Sequence, residues 1–174
     1  MELSEWIPFI RNNWYRKHYM KFVYLLQIII LMIPYFFRTG FTKINSFSLI
    51  IIGILVFIIH ESLHIIVVNK KGDISLTFSG IFFWLNTNAT LSKSRFWIFM
   101  SLPFIVLSVV PFVMSLYVSG NFKIILLFAC WLNSIISSSD IYNSVLIAIK
   151  PKDTVYCRGY YKVKSYNIRD ISKG

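Results

Sequence analysis

Two histidines and a glutamate interrupt a strongly apolar segment, "FIIHESLHIIVV", at residues 57–68. His60, Glu61 and His64 have the spacing H-E-x-x-H. Residues four apart lie about 40° apart around a helix axis, so both imidazoles face the same way and can bind one metal ion. The neighbouring glutamate can then reach a water on that ion, which is the arrangement needed for metal-assisted hydrolysis.

The composition indicates that the segments around this motif are solvated by lipid. Apolar residues make up 56% of the 174 and charged residues only 14%, with a mean hydropathy of +0.64. An ordinary soluble domain has fewer apolar and more charged residues. Four stretches are long enough to cross about 30 Å of hydrocarbon as helices. We predict an all-α polytopic membrane protein, in which residues 1–174 form one membrane-embedded domain with transmembrane spans at about 21–37, 47–68, 96–118 and 122–149.

The lysines and arginines predict the orientation of these spans, because such residues accumulate in cytoplasmic segments. Fifteen of the 18 precede the first span, lie between spans two and three, or follow span four. Both termini are therefore expected in the cytoplasm. The net charge of +11 suits contact with anionic lipid head groups, and the sequence contains no recognisable nucleic-acid-binding module. We predict a multi-pass protein of a bacterial cytoplasmic membrane, with the lipid bilayer and no nucleic acid as partner.

The connection between spans two and three, "DISLTFSGIFFWLNTNATLSKSR", lacks the pattern of a helix. Apolar and polar residues alternate from Ile74 to Ser79, Gly80 interrupts them, and the alternation roughly resumes as far as Leu91. This pattern predicts a β-hairpin at the membrane surface, with an irregular interfacial loop as the alternative. The tail after Lys150 contains "TVYCRGYYKVK", which favours a short pair of strands.

Only two of the seven acidic residues, Glu61 and Asp140, fall within the predicted spans. An ionisable side chain at membrane depth costs on the order of 3 kcal/mol and therefore indicates function. A catalytic zinc usually has three protein ligands, and Asp140 is the remaining carboxylate in the spans. His60 and Asp140 also lie at matching depths, about 14 Å from the cytoplasmic ends of their spans. We predict that His60, His64 and Asp140 bind Zn²⁺.

Polar residues accompany Asp140 along the fourth span. Asn133, Ser137, Asp140 and Ser144 follow the spacing i, i+4, i+7, i+11, which places them on one face of a continuous helix. Ser137 and Ser144 equally suit the packing of membrane helices. Asn133 suits binding of the substrate or of an oxyanion, and Asn143 suits support of the Asp140 carboxylate. We therefore predict that Asn133, Ser137 and Asn143 bind substrate or support the metal ligands.

These motifs resemble those of the site-2 protease type of intramembrane metalloprotease, in which H-E-x-x-H on one transmembrane helix is followed two spans later by an Asp. The stretch "NSIISSSDIYN" at residues 133–143 is more similar to a small family of zincin peptidases first described as a domain of unknown function. That family's pattern is Asn, then a Ser-rich stretch, then Asp-Ile. The matching residues are Asn133, Ser137, Ser138, Asp140 and Ile141, and the resemblance extends over about residues 47–149.

The resemblance implies zinc on His60, His64 and Asp140, with Glu61 as the general base. Ile141 stands where the best-known site-2 proteases have Gly, a difference that concerns substrate handling rather than the metal site. We therefore expect a zinc-dependent intramembrane endopeptidase that cleaves a membrane-spanning or membrane-associated peptide with metal-activated water.

Two alternatives remain open, a metal-binding membrane transporter and a non-catalytic membrane partner. A transporter has no need for a glutamate beside the first histidine. The substitution Glu61→Gln would therefore spare the metal binding of a transporter and abolish the activity of a peptidase.

Overall fold

The computed structural model describes residues 6–37, 39–69, 74–79, 82–157 and 159–163, and for 74–79 and 82–87 the backbone alone. The helices are α1 (Asn13–Phe37), α2 (Ser46–Val68), α3 (Lys93–Phe104), α4 (Val110–Ser115), α5 (Gly120–Ile136) and α6 (Ser138–Ala148), with a 3₁₀ turn at Phe41–Lys43 and a π-helical turn at Ile105–Val109. The strands are β1 (Ile7–Pro8), β2 (Ile74–Ser79), β3 (Phe82–Thr87), β4 (Leu91–Ser92), β5 (Thr154–Cys157) and β6 (Tyr160–Val163).

Three helical segments are long and apolar enough to span a membrane. They are α1, α2, and the run from Lys93 to Ser115 that comprises α3, the π-helical turn and α4. Helix α1 begins well before the predicted start at residue 21, because the side chain of Asn12 accepts a hydrogen bond from the backbone N–H of Tyr15 (3.1 Å) and caps the helix there. The mostly helical fold is compatible with the predicted membrane protein.

The fourth predicted span is bent rather than straight. Helices α5 and α6 meet at Ser137 at an angle of 64°, so the prediction of one continuous helix with a shared polar face was wrong. Serine hydroxyls explain the bend, because they bond to backbone carbonyls four residues earlier. Ser134 donates to the carbonyl of Cys130 (2.7 Å), and Ser138 donates to that of Ser134 (3.1 Å). Together α5 and α6 form either a broken span or a re-entrant segment.

A four-stranded antiparallel sheet in the order β1-β6-β5-β4 lies at one end of the helices. Strand β1 precedes α1, β4 precedes α3, and β5 and β6 follow α6. The sheet therefore brings the starts of α1 and α3 and the end of α6 to the same end of the bundle. The strand pair predicted in the tail is confirmed by β5 and β6.

The predicted hairpin between the second and third spans is confirmed. Strands β2 and β3 pair antiparallel, from Ile74 opposite Thr87 to Ser79 opposite Phe82. The turn predicted at Gly80 lies outside the described residues, as do seven of the 18 cations used to predict the orientation.

The first turn of α3 fixes the ends of two other helices. The Lys93 ammonium donates to the carbonyl of Ala148 (2.8 Å) at the end of α6 and also to that of Lys150. The guanidinium of Arg95 donates through Nε to the carbonyl of Val67 (2.9 Å) at the end of α2. Cations stabilise helix C-termini, where the last carbonyls lack partners within the helix. Helices α2 and α6 therefore end at the same level.

The end of α6 is anchored in an apolar cluster beneath the sheet. Ile147 is fully buried and packs with Tyr156 and Tyr161 of the sheet and with Phe96 of α3. Ile149, two residues further on, is 74% exposed. Ile147 and Ile149 have the same side chain, but one is buried and the other is exposed, so they can be compared as a test residue and its control.

We expect Ile147→Ala to lower the free energy of unfolding by about 2–5 kcal/mol, because it leaves a cavity in a packed cluster. Ile149→Ala should lower it by less than about 1 kcal/mol, since that side chain is exposed. Equilibrium unfolding in mixed detergent micelles measures both. Equal losses in the two variants would contradict the role of this cluster as an anchor.

Candidate metal centre

Helix α2 presents both histidines of the H-E-x-x-H motif on one face. His60 is 3% exposed and His64 is 6% exposed, and their Nε2 atoms are 3.2 Å apart. They lie one helical turn apart in a segment of isoleucines and valines, many of which are exposed on the opposite faces. The geometry is the one predicted from the spacing of the two residues.

Helix α6 brings Asp140 to the two imidazoles. Its Oδ2 atom lies 3.3 Å from Nε2 of His60 and 3.4 Å from Nε2 of His64. Asp140 stands in the first turn of α6, directly after the bend at Ser137. His60 and Asp140 are each eight residues from the last residue of their helices, or about 12 Å at 1.5 Å per residue.

The distances among these three donor atoms fit zinc. Tetrahedral Zn²⁺ bound at about 2.0–2.1 Å separates its donors by about 3.3–3.4 Å. The three separations here are 3.2, 3.3 and 3.4 Å. Two imidazole nitrogens and one carboxylate oxygen are also typical zinc ligands, and among the described residues these three form the one group of His, Cys, Asp or Glu able to share a metal ion.

Asn133 holds His60 in the orientation that a metal ligand needs. Its Oδ1 atom lies 2.9 Å from Nδ1 of His60, and the residue is fully buried. Since an amide oxygen only accepts, Nδ1 carries the proton and Nε2 presents its lone pair towards Asp140. Helices α2 and α5 also pack closely at Gly53, where a Cβ would lie 3.3 Å from Cδ2 of Leu132 on α5. The structure therefore places Asn133 behind a metal ligand.

His64 is positioned by packing. Its ring lies against Phe99 of α3, with ring centroids 4.5 Å apart. Its Nδ1 atom is buried and has no hydrogen-bond partner within the described part of the chain. The two histidines are thus held differently, one by an amide and the other by an aromatic ring.

Glu61 follows His60 directly in α2, and its side chain is partly buried. It is not one of the three residues whose donor atoms converge.

The side chains of the other two predicted residues, Ser137 and Asn143, form no hydrogen bond with the three donor residues within the described part of the chain. Ser137 stands at the bend, and its buried hydroxyl has no partner among the residues described. The side chain of Asn143 accepts a hydrogen bond from the hydroxyl of Tyr19 (2.9 Å) and donates weakly to the sulfur of Met100 (3.9 Å). These two bonds of Asn143 thus join α6 to α1 and α3.

Sequence reasoning missed two residues near the site. The Tyr19 hydroxyl reaches α6 from α1, a helix 120 residues away from it along the chain. Ser108 accepts a hydrogen bond from the Asn133 amide (2.8 Å). Neither belongs to a recognisable motif, and each is one of many tyrosines or serines in the chain.

A comparison with protein families decides the class of the protein. The model of a family described as "Putative zincin peptidase" matches residues 53–155, more than half of the chain. The chain belongs to this zincin family. The match includes all three donor residues, Glu61 and Asn133, and it begins after α1. No curated protein and no solved structure matches the chain.

Membership in a zincin family implies zinc as the metal and supports a metallopeptidase as the class of enzyme. The three donor atoms supply the corresponding metal site. The family and the geometry thus agree on the cofactor.

We expect purified protein to bind about one zinc per chain, and His60→Ala, His64→Ala and Asp140→Asn to lose it, because two remaining donors hold zinc weakly. Glu61→Gln should retain the metal. Elemental analysis after metal loading at neutral pH measures the stoichiometry. Zinc retained in the three ligand variants, or lost in Glu61→Gln, would contradict this ligand set.

Proposed function

We propose that this zincin is an intramembrane endopeptidase of the site-2 protease type, which cleaves a membrane-spanning or membrane-associated peptide. The observation that carries the proposal is the convergence of His60 and His64, well inside an apolar helix of membrane-spanning length, with Asp140 of the bent pair α5 and α6. Glu61 is the neighbour of His60 in the same helix. Ionisable groups at such depth are retained for function. The zincin family supports the peptidase chemistry.

The residues of the site have complementary tasks. Zinc held by the three donors would supply Lewis acidity, which makes a water more acidic and polarises a carbonyl. A carboxylate oxygen of Glu61 takes a proton from the attacking water and passes it to the nitrogen of the leaving amine. The half-buried position of Glu61 suits this exchange, since the carboxylate must meet both water and substrate.

Charge supports a cytoplasmic position for the sheet end of the bundle. Described cations next to the sheet or to the helix ends that it joins are Arg11, Arg16, Lys17, Lys93, Arg95, Lys150, Lys152 and Lys162. Lys43 and Lys123 lie at the opposite ends of the helices. Since cytoplasmic segments are rich in Lys and Arg, we propose that both termini face the cytoplasm.

The hairpin of β2 and β3 is a candidate binding element for the substrate. It follows α2, the helix that carries both histidines, and within the described structure its two strands pair only with each other. Each strand therefore offers unpaired main-chain groups to an added strand. A peptide that has unwound for cleavage can add to such an edge through main-chain hydrogen bonds.

The first test of the proposal is Glu61→Gln in proteoliposomes. Its substrates are single-span peptides with a fluorophore and a quencher on opposite sides of the membrane segment, and mass spectrometry locates the cut. We expect cleavage to fall by about 10²–10⁴-fold, the usual contribution of a general base.

The matched control is Ser62→Ala, because among the described residues the Ser62 hydroxyl bonds to the carbonyl of Ile58 (2.7 Å) in its own helix and to no other group. It should retain cleavage. Undiminished cleavage by Glu61→Gln would contradict the assignment of the base. Cuts only outside the membrane segment would contradict an intramembrane enzyme.

The second test replaces residues 74–87 with a Gly/Ser loop of equal length. We expect loss of cleavage with unchanged zinc content, because the loop offers no regular strand edge. The control is a hairpin in which residues are exchanged only with others on the same face of the same strand. It should retain cleavage, because it keeps a regular strand edge with unpaired main-chain groups. Full cleavage by the loop variant would refute the role of the hairpin.

A further inference from the structure

The Asn133 amide is held from the side opposite His60 by two groups of the third span. Its Nδ2 donates to the hydroxyl oxygen of Ser108 (2.8 Å) and to the carbonyl of Pro103 (3.1 Å). Ser108 is 2% exposed and Asn133 is fully buried. All three groups lie away from water, where a mismatched donor or acceptor costs about 1–3 kcal/mol.

These two bonds fix which end of the amide faces His60. An amide group has two N–H donors on nitrogen and an acceptor oxygen. Because both donors are used towards Ser108 and Pro103, the oxygen must point to Nδ1 of His60. A rotated amide would present N–H to Nδ1, and His60 would then carry its proton on Nε2, the atom that must bind zinc.

The Ser108 hydroxyl also donates a hydrogen bond of its own. Its proton is donated to the backbone carbonyl of Cys130 on α5 (3.2 Å). The lone pairs of its oxygen are therefore available to the Asn133 amide. Ser108 acts as an acceptor towards Asn133 for this reason.

The π-helical turn lies beside both acceptors. Pro103 precedes the turn at Ile105–Val109 by two residues, and Ser108 lies within it. Both groups accept from the Asn133 amide, so this part of the third span faces α5. Such turns often occur at functional sites in helices.

We propose that Ser108, which lies in the π-helical turn, is a positioning residue that selects the zinc-binding tautomer of His60 through the Asn133 amide. The inference deepens the proposed function, since it rests on the same zinc centre, but it does not depend on where the substrate is cut. Ser108 touches neither the metal nor the substrate.

The test compares Ser108→Ala with Ser115→Ala. Ser115 is equally buried in the same span, but within the part of the chain that the structure describes its hydroxyl bonds only to the carbonyl of Phe112 in its own helix. Zinc affinity is measured by competition with a chelator. The tautomer of His60 in metal-free protein is read from ¹⁵N shifts of labelled histidine, which are simple to assign because the chain has three histidines.

We expect Ser108→Ala to bind zinc about tenfold more weakly, as is typical when the partner of a metal ligand is disturbed. It should also show more of the tautomer protonated on Nε2. Ser115→Ala should match wild type in both measurements, and Ser108→Thr, which restores the hydroxyl, should recover the affinity. If the alanine variant does not fold, Ser108→Cys replaces it in the test, because a thiol has a similar size and is a weak acceptor. Ser108→Cys should also bind zinc more weakly than wild type.

A double-mutant cycle separates positioning from general packing. Asn133→Asp gives His60 an acceptor in either rotation of the carboxylate, so Ser108→Ala should have little further effect in that background. Equal zinc affinity and equal tautomer populations in Ser108→Ala and Ser115→Ala would overturn the proposal. A wild-type protein that binds zinc but cleaves no peptide would contradict the proposed function and leave this comparison valid.

Discussion

The central constraint on the structure is that three electron-rich donor atoms lie close together and away from water. Two imidazole nitrogens and a carboxylate oxygen lie 3.2–3.4 Å apart. With the His60 proton held on Nδ1, these atoms present lone pairs to one another, an arrangement that a cation stabilises. The three side chains are only 3–13% exposed, so little water is available to relieve the repulsion. The surrounding helices must therefore fix the donors while a metal ion balances them.

Two devices fix the donors in space. In the first turn of α3, Arg95 caps α2 and Lys93 caps α6. These two caps fix the positions of α2 and α6 relative to each other along their axes. The serine-induced bend at Ser137 then separates Asn133 on α5 from Asp140 on α6, so that each can meet α2. A straight helix would place both residues in one row, whereas in the bent pair Asn133 contacts His60 and Asp140 contacts both histidines.

The ligands could be predicted from the sequence because ionisable residues are rare in apolar spans. His60, His64 and Asp140 stood out for that reason, and the hairpin stood out through its alternation. The bend did not, since it arises from hydroxyl bonds to the backbone without a proline at the break. The contact between Asn133 and His60 was equally hidden, because it joins two helices at positions 73 residues apart along the chain. Tyr19 bonds to Asn143, which is 124 residues away along the chain, and no local sequence pattern indicates such a contact.

The pairing of Ile7 with Tyr161 joins nearly the first and last described residues of the chain. During synthesis β1 emerges before β6, and the six described helices are made between these two paired strands. Contacts so distant in sequence form late, because the intervening chain must be ordered before they can close. The sheet is thus completed only when α6, with Asp140, is already available to α2. Closure of this small sheet is therefore a late step in biogenesis, and it follows the synthesis of all three donor residues.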